Sequence, residues 1–415
     1  MKEKICFILS FHDRAVQYEW IIERAIQHNL ELHFIFLNPE QWHIEEFARM
    51  KKIPCLFIKY HSKKDIPRAI ALIFQYLVKE KITVVHVKEK ITVVHTHLFD
   101  ANLAGLTAAW LAKVKKRIYT RHHSDFHHRF YPKSVRYDRY CNRLATDIVA
   151  ISKNRLATDI VAISKNVYDI LVEKEKVKPN KVHLVHHGFE MDLFSKVPVS
   201  QIEELKKKYK TKDRFPVVGM ISRYEESKGI QHVIPAFKQL LKKYPNALLI
   251  LANSHGSYSK QIKKALEQIP TESYCEIRFE YNLFALYQLF DVFVHVPEYK
   301  EYEALHVPEY KEYEAFGQVY VEALAAGIPS VFTISGIASE FVKNNENALV
   351  CDYKNPDEIY RAIIKLLSDS NLRNKLVENG LKEVHKLVEN GLKEVHSKFS
   401  MDKYFSHLKK LYGYD

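Results

Sequence analysis

Residues 308–330 read PEYKEYEAFGQVYVEALAAGIPS, and SVFTI begins at the last residue of that stretch. Gly317 permits a tight backbone entry, Gln318 to Ala326 hold good helix formers on balance, and Gly327 with Pro329 stops the run. A short helix followed at once by an apolar strand is the unit of an alternating α/β fold. The N-terminus of such a helix offers free N–H groups and the positive end of its dipole, which suits a phosphate. Glu314 lies in the loop before it and Glu322 one turn inside, eight positions on. Carboxylates beside an anion site have a chemical reason to be there if they accept hydrogen bonds from sugar hydroxyls. The plainer reading is a surface loop and an ordinary amphipathic helix.

Outward from that stretch the same alternation recurs on both sides. Toward the N-terminus of this half come strand PVVGMIS (216–222), a helix from Gly229 to Lys243, strand ALLILA, a helix from Tyr258 to Gln268, strand CEIRF, helix LFALYQLFD and strand VFVHV. A helix over Pro356 to Ser368 follows it. The earlier half repeats the pattern with KICFILS (4–10), a helix over Val16–Gln27, LELHFIFL, a helix from Asn38 to Met50, IPCLFIKY, a helix over Ile66–Glu80, TVVHTHL (92–98), a helix over Ala101–Ala112, RIYT (117–120) and DIVAIS. Near-continuous Val and Ile strands between helices predict parallel sheets covered on both faces, in two Rossmann-like halves. The boundary is expected between 190 and 214, and the tail YFSHLKKLYGY, apolar at helical spacing, is expected to dock back on a domain.

The 415 residues suffice for two domains, and 47% hydrophobic with 27% charged residues describes a globular chain. No apolar run reaches the length of a spanning helix, and the apolar part of MKEKICFILSFHDR is short for a signal peptide, so a cytoplasmic location is expected. Five scattered cysteines (Cys6, Cys55, Cys141, Cys275, Cys351) without a C-x-x-C pair point to reduced thiols. The net charge of +13 is uneven: Lys113 to Arg143 holds ten Lys or Arg against two Asp, interleaved with Phe126, Phe130, Tyr131, Tyr137 and Tyr140. No nucleic-acid module surrounds them, so an anionic membrane surface or a phosphorylated acceptor fits better, with a solvated basic face as the plain alternative.

Four segments occur twice in identical tandem copies: VKEKITVVH at 78 and 87, RLATDIVAISKN at 143 and 155, HVPEYKEYEA at 295 and 306, and KLVENGLKEVH at 375 and 386. Short, single and undiverged copies are not a solenoid. An 11-residue step advances a helix by about three turns and 20°, so the last duplication is expected to lengthen a helix. The other three fall on strand-like segments, where one copy must loop out or displace the other. Only the second HVPEYKEYEA runs into Phe316-Gly317, which selects Glu314 over Glu303.

Polar groups at strand ends mark ligand positions in such sheets. His95, Thr96 and His97 end one strand; Thr120, Arg121, His122 and His123 end the next. The spacing in HHSDFHH also suits a metal, but no Cys ligands and no H-E-x-x-H helix accompany it, so no metal is expected. Arg223 and Lys228, in SRYEESKG after strand PVVGMIS, form a reasonable diphosphate clamp beside a helix N-terminus.

ISRYEESKG, EAFGQVYVEALAAGIPS, VVHTHL, YTRHHSD, DIVAISKN and HHGFEMDLF resemble, in order and spacing, segments of family 4 of the retaining GT-B glycosyltransferases (glycosyl transferases group 1). The resemblance spans almost the whole chain with one copy of each repeat set aside. It implies two Rossmann-like domains facing across a cleft: an acceptor-binding domain over 1–195, a nucleotide-sugar domain over 196–395, and a C-terminal helix over 396–415. By that resemblance Arg223, Lys228 and Gly317 bind the donor diphosphate, Glu322 the ribose, and Glu314 faces the transferred sugar, with Phe316 and Gln318 in the donor loop. His122 resembles the catalytic histidine of the N-domain, while His97, His123 and Arg121 lie on the acceptor side. The chain departs from the family in SFHDRAVQYEW, which lacks the usual glycine-rich loop after the first strand, and in the HG of HHGFE, where Asn-Gly is commoner. The expected activity is retaining, metal-independent transfer from a nucleotide-diphosphate sugar, UDP first, to a glycan, lipid-linked or phosphorylated acceptor in cell-surface polysaccharide synthesis. A GT-B-like sugar-nucleotide epimerase and a non-catalytic nucleotide-sugar-binding subunit are the alternatives.

Overall fold

Strands rich in Val, Ile, Leu and Phe bury both faces, which forces helices onto each side of every sheet. The computed structural model describes residues 4–11, 16–79, 91–123, 127–128, 131–144, 159–298, 314–389 and 401–412. They form two compact units, 1–189 with 401–415, and 190–400.

In the first unit, strands β1 (Lys4–Ser10), β2 (Glu31–Asn38), β3 (Cys55–Lys59), β4 (Ile91–His97), β5 (Lys116–Arg121), β6 (Asp159–Ala162) and β7 (Val182–Leu184) make one sheet in the order β3-β2-β1-β4-β5-β6-β7. Every pairing is parallel. Helix α1 (Val16–Gln27), α2 (His43–Met50), α3 (Ile66–Lys79) and α4 (Phe99–Leu111) are the crossovers. One core joins Cys6, Ile8, Ile35 and Leu37 of the sheet to Ile73 and Leu77 of α3 and Ala104 and Ala108 of α4. Gly105 of α4 fits because a Cβ there would come within 2.7 Å of Thr96. The helix expected from Asn38 starts later, at His43, since Asn38 is still in β2 and its side-chain N–H donates to Glu45 at 2.8 Å. The turn after β1 reaches the left-handed region at Phe11 (φ 51°) without a glycine, at a cost of roughly 1–2 kcal/mol.

The last helix of this unit, Met401–Tyr412, packs on it through specific bonds. Tyr412 Oη lies 2.6 Å from His95 Nδ1, Lys116 donates to the Leu411 carbonyl at 2.9 Å, and Arg24 pairs with Asp402 at 3.0 Å.

The second unit repeats the architecture. Strands β8 (Val217–Ile221), β9 (Leu248–Ala252), β10 (Tyr274–Ile277), β11 (Val292–His295), β12 (Ser330–Phe332) and β13 (Leu349–Val350) run in the order β10-β9-β8-β11-β12-β13, all parallel. The chain order reverses between β8 and β11, the switch point where open α/β sheets receive ligands at their carboxyl ends. The helix predicted around residue 318 is present over Gln318–Ala325, and that over Pro356–Ser368 has those bounds. The helix expected to be lengthened by the last duplication is Ser370–Glu389, which runs from the first KLVENGLKEVH copy into the second without a break. That continuation matches the three-turn step of eleven residues.

Of the three strand-like duplications, the described copy in the first sheet is the second one in both cases, ITVVH in β4 and DIVA in β6. His295 in β11 comes from the first HVPEYKEYEA copy and Glu314 from the second. The predicted loop-outs, and Glu303, lie outside the described residues.

Candidate functional site

Two polar clusters form at strand ends, one in each unit. In the second unit the chain leaves β8 at Ile221, and its turn ends at Gly229, whose φ of 75° and position under the Val296 carbonyl exclude a side chain. A Cβ would meet that oxygen at 1.9 Å. The Glu298 N–H donates to the Ser227 carbonyl at 2.9 Å, so the loops after β8 and β11 are bonded together.

That joint brings Lys228 to Glu314, 86 residues away, with Nζ 2.5 Å from Oε2. His295, buried at the end of β11, has Nε2 3.8 Å from the same oxygen. Burial alone would raise the Glu314 carboxyl, but the Lys228 ammonium and the His295 ring hold it well below the usual carboxylate range. Burial lowers His295 further than Glu314 raises it. Its ring packs edge-on against Tyr320 at 4.8 Å.

The loop carrying Glu314 is clamped from the far side. Its N–H donates to Ser335 Oγ at 3.3 Å, and the Phe316 carbonyl accepts from Ile337 N–H at 2.8 Å. Gly317 opens the helix with φ 81° and has no capping side chain. A Cβ on it would meet the Tyr320 ring at 2.7 Å. Phe316 is buried and Gln318 exposed. Glu322, within the helix, is 8% exposed and accepts from Tyr287 Oη at 2.8 Å. Burial pushes its carboxyl up to about 7, against the Tyr287 hydroxyl, which lowers it. Arg223 is exposed, and its guanidinium has no partner among the described residues. Among the described residues the unit thus combines an unpaired guanidinium, an ammonium with two N–H bonds to spare, a helix N-terminus and a buried carboxylate.

In the first unit the predicted residues divide into two groups. His97 and His122 come together, Nδ1 to Nε2 at 3.0 Å, and His122 stacks on His187 at 5.7 Å. His187 lies 2.6 Å from the Gln17 side chain, and burial drives its imidazole down to about 3. His95 sits behind them as a satisfied core residue, bonded to Tyr412 and to Thr120 Oγ1 at 2.8 Å.

Arg121 and His123 turn the other way. Arg121 is 2% exposed and donates to Glu175 at 2.6 Å, with Asp138 3.6 Å off. Glu175 also accepts from Asn142 at 2.6 Å and lies 3.2 Å from His128. His123 and His127 both face Asp138, at 3.4 Å and 2.7 Å. Neither Asp138 nor Glu175 had been singled out in the sequence, and neither had His295 or Tyr287. Each is an ordinary residue type whose partner lies 11 to 54 positions away in the first unit and 35 away for Tyr287, so no local spacing marks it.

Residues 201–383 match the family described as Glycosyl transferases group 1, and residues 21–193 match Glycosyltransferase Family 4. An uncharacterised glycosyltransferase of Methanocaldococcus jannaschii is 24% identical over 68% of this chain and 67% of its own length. The capsular polysaccharide biosynthesis glycosyltransferase CapM of Staphylococcus aureus is 26% identical over 65% of this chain and 61% of its own. The chain spans less than two thirds of several such relatives. Among solved structures, Anabaena HepE in complex with UDP and glucose shares the fold with a TM-score of 0.75 at 16% identity, over 98% of both chains. A glycosyltransferase from Rickettsia africae gives 0.72 at 17% identity, over 99% of this chain and 98% of its own. The fold is GT-B.

Proposed function

This chain belongs to the glycosyl transferases of group 1, and from that premise we propose that it moves a sugar with retention from a nucleotide diphosphate, UDP first, to a glycan, lipid-linked or phosphorylated acceptor. The observation that carries the reading is the meeting of Lys228 and Glu314 at the N-terminal end of helix Gln318–Ala325, beside an exposed Arg223. The UDP preference draws support from HepE, a protein of similar fold solved with UDP and with UDP-glucose.

The chemistry assigned to each residue follows from its surroundings. Breaking a glycosyl–phosphate bond develops charge on the leaving diphosphate, and fixed cations with helix N–H groups stabilise it where it forms. Arg223 supplies a planar fork for two oxygens and Lys228 a point charge. Glu314, kept ionised, is an acceptor for donor-sugar hydroxyls, and Gly317 and Phe316 shape the floor below it. Glu322 accepts from ribose hydroxyls. His122, in contact with His97, takes the catalytic position on the acceptor side, whereas Arg121 and His123 of the same segment face Glu175 and Asp138 instead. Cell-surface polysaccharide synthesis is the proposed setting, in line with CapM. No described helix is long and apolar enough to cross a membrane. A peripheral, cytoplasmic-face association is proposed from exposed Tyr131, Tyr137 and Tyr140 among Lys133, Arg136 and Arg139.

A thermal-shift panel of UDP, GDP, ADP and their sugars tests the donor class. Ligand at a hundredfold its Kd adds about 2.7 kcal/mol, or several degrees of midpoint. A shift with uridine nucleotides that is lost in the Arg223→Ala/Glu322→Ala double variant is expected; a shift that survives it removes the proposed site. Product NMR decides retention, and an inverted anomer would refute it.

A further inference from the structure

The cluster of His123, His127 and Asp138 is not used by the proposed sugar transfer. Each of the three offers one ligand atom, an imidazole nitrogen or a carboxylate oxygen, and these three atoms lie within 4.8 Å of one another. His123 follows β5, His127 lies four residues on, and Asp138 is on the helix Val135–Leu144. The three therefore tie the loop after β5 to a separate helix.

We propose that His123, His127 and Asp138 form a binding site for a divalent transition metal of the zinc class. The ligand chemistry is right: two imidazoles and a carboxylate are a three-protein-ligand set that leaves a fourth position open. The distances are close to those of a ligated set. His127 Nδ1 is 2.7 Å from Asp138 Oδ2 and His123 Nε2 is 3.4 Å from Oδ1. Ligands about 2.0–2.1 Å from a tetrahedral ion sit somewhat over 3 Å apart, so modest side-chain movement admits it.

Arg121 lies 2.6 Å from Glu175 and 3.6 Å from Asp138, so the two carboxylates together exceed their one guanidinium by a single negative charge beside the two histidines. Orientation is fixed in advance: Phe99 packs edge-on against His127 at 4.8 Å, and Arg121 Nε donates to the His123 carbonyl at 3.1 Å. The proposal departs from the sequence reading, in which HHSDFHH lacked companions. The missing companion is Asp138, which only the fold delivers.

Cobalt(II) titration of the full-length, metal-stripped protein tests this, because tetrahedral cobalt absorbs visibly and surface-bound cobalt does so far more weakly. One equivalent giving the tetrahedral band, displaced by zinc, is expected. His123→Ala and His127→Ala should each lose the band and weaken zinc at least about tenfold, with circular dichroism unchanged. His128→Ala, whose ring lies against Glu175 instead, should keep it. No band in the native protein, or a band that survives in both His123→Ala and His127→Ala, overturns the proposal. If a single variant unfolds, the other and the native stoichiometry still decide.

Discussion

The two strand-end clusters contain similar residues and do opposite things with them. In the first unit Arg121, Glu175, Asp138 and Asn142 close on one another away from solvent. In the second, Arg223 stands exposed and unpaired among the described residues, and Lys228 has one carboxylate for three donors. A cation whose charge is fully met inside holds the unit together; one with donors to spare has them available for a ligand. Position at the carboxyl end of a strand does not separate the two cases, whereas pairing and burial do.

Breaking the closed cluster should have the largest effect. Arg121→Ala leaves two buried carboxylates without their cation and is expected to cost about 3–5 kcal/mol of stability, read from the midpoint of denaturant unfolding. A loss below about 1 kcal/mol would mean that the first unit is as open as the second. Next comes Lys228→Ala, expected to lower kcat on the order of 10²–10³-fold. Sugar transfer near the native rate in this variant would take the diphosphate role from the open cluster.

A pH series sharpens the contrast. Glu322 titrates at about 7 in the folded protein against 4.5 as the ordinary value, raised chiefly by burial. The folded state therefore holds its proton across that window, and stability declines as pH rises from about 4.5 through 7, by about 3 kcal/mol in all. Glu322→Gln should flatten that slope. Ribose hydroxyls donating to the carboxylate favour its ionised form, so uridine nucleotide affinity should rise with pH through 7 in the native protein and not in Glu322→Gln. An affinity independent of pH in both would put the ribose elsewhere. The smallest effect is expected from Tyr412→Phe, which strips a buried hydroxyl from His95 and should cost about 1–3 kcal/mol without altering nucleotide binding.

The motifs of the second unit were the easier to read because they are local. Gly317, Phe316, Glu314 and Glu322 lie within one loop and helix, and SRYEESKG sits where a strand ends. The first unit was harder. His122 and His97 were named and do meet, but Arg121, grouped with them by adjacency, points into a network with Glu175 and Asp138. Alternate residues of a strand face opposite ways, so neighbours in sequence part company at its end. The same limit hid His295, whose role rests on Glu314 arriving from beyond a duplicated segment.

The sequence by itself determined the α/β alternation, the two halves, the helix that begins at Gly317 and the cations of SRYEESKG, because hydrophobic period and turn chemistry act over a few residues. Only the tertiary structure decided which charges are spent and which are free: Lys228 on Glu314, Arg121 on Glu175, two histidines on Asp138. Coulombic pairing and burial depend on distance through space, and parallel sheets bring together strand ends that lie tens of residues apart along the chain.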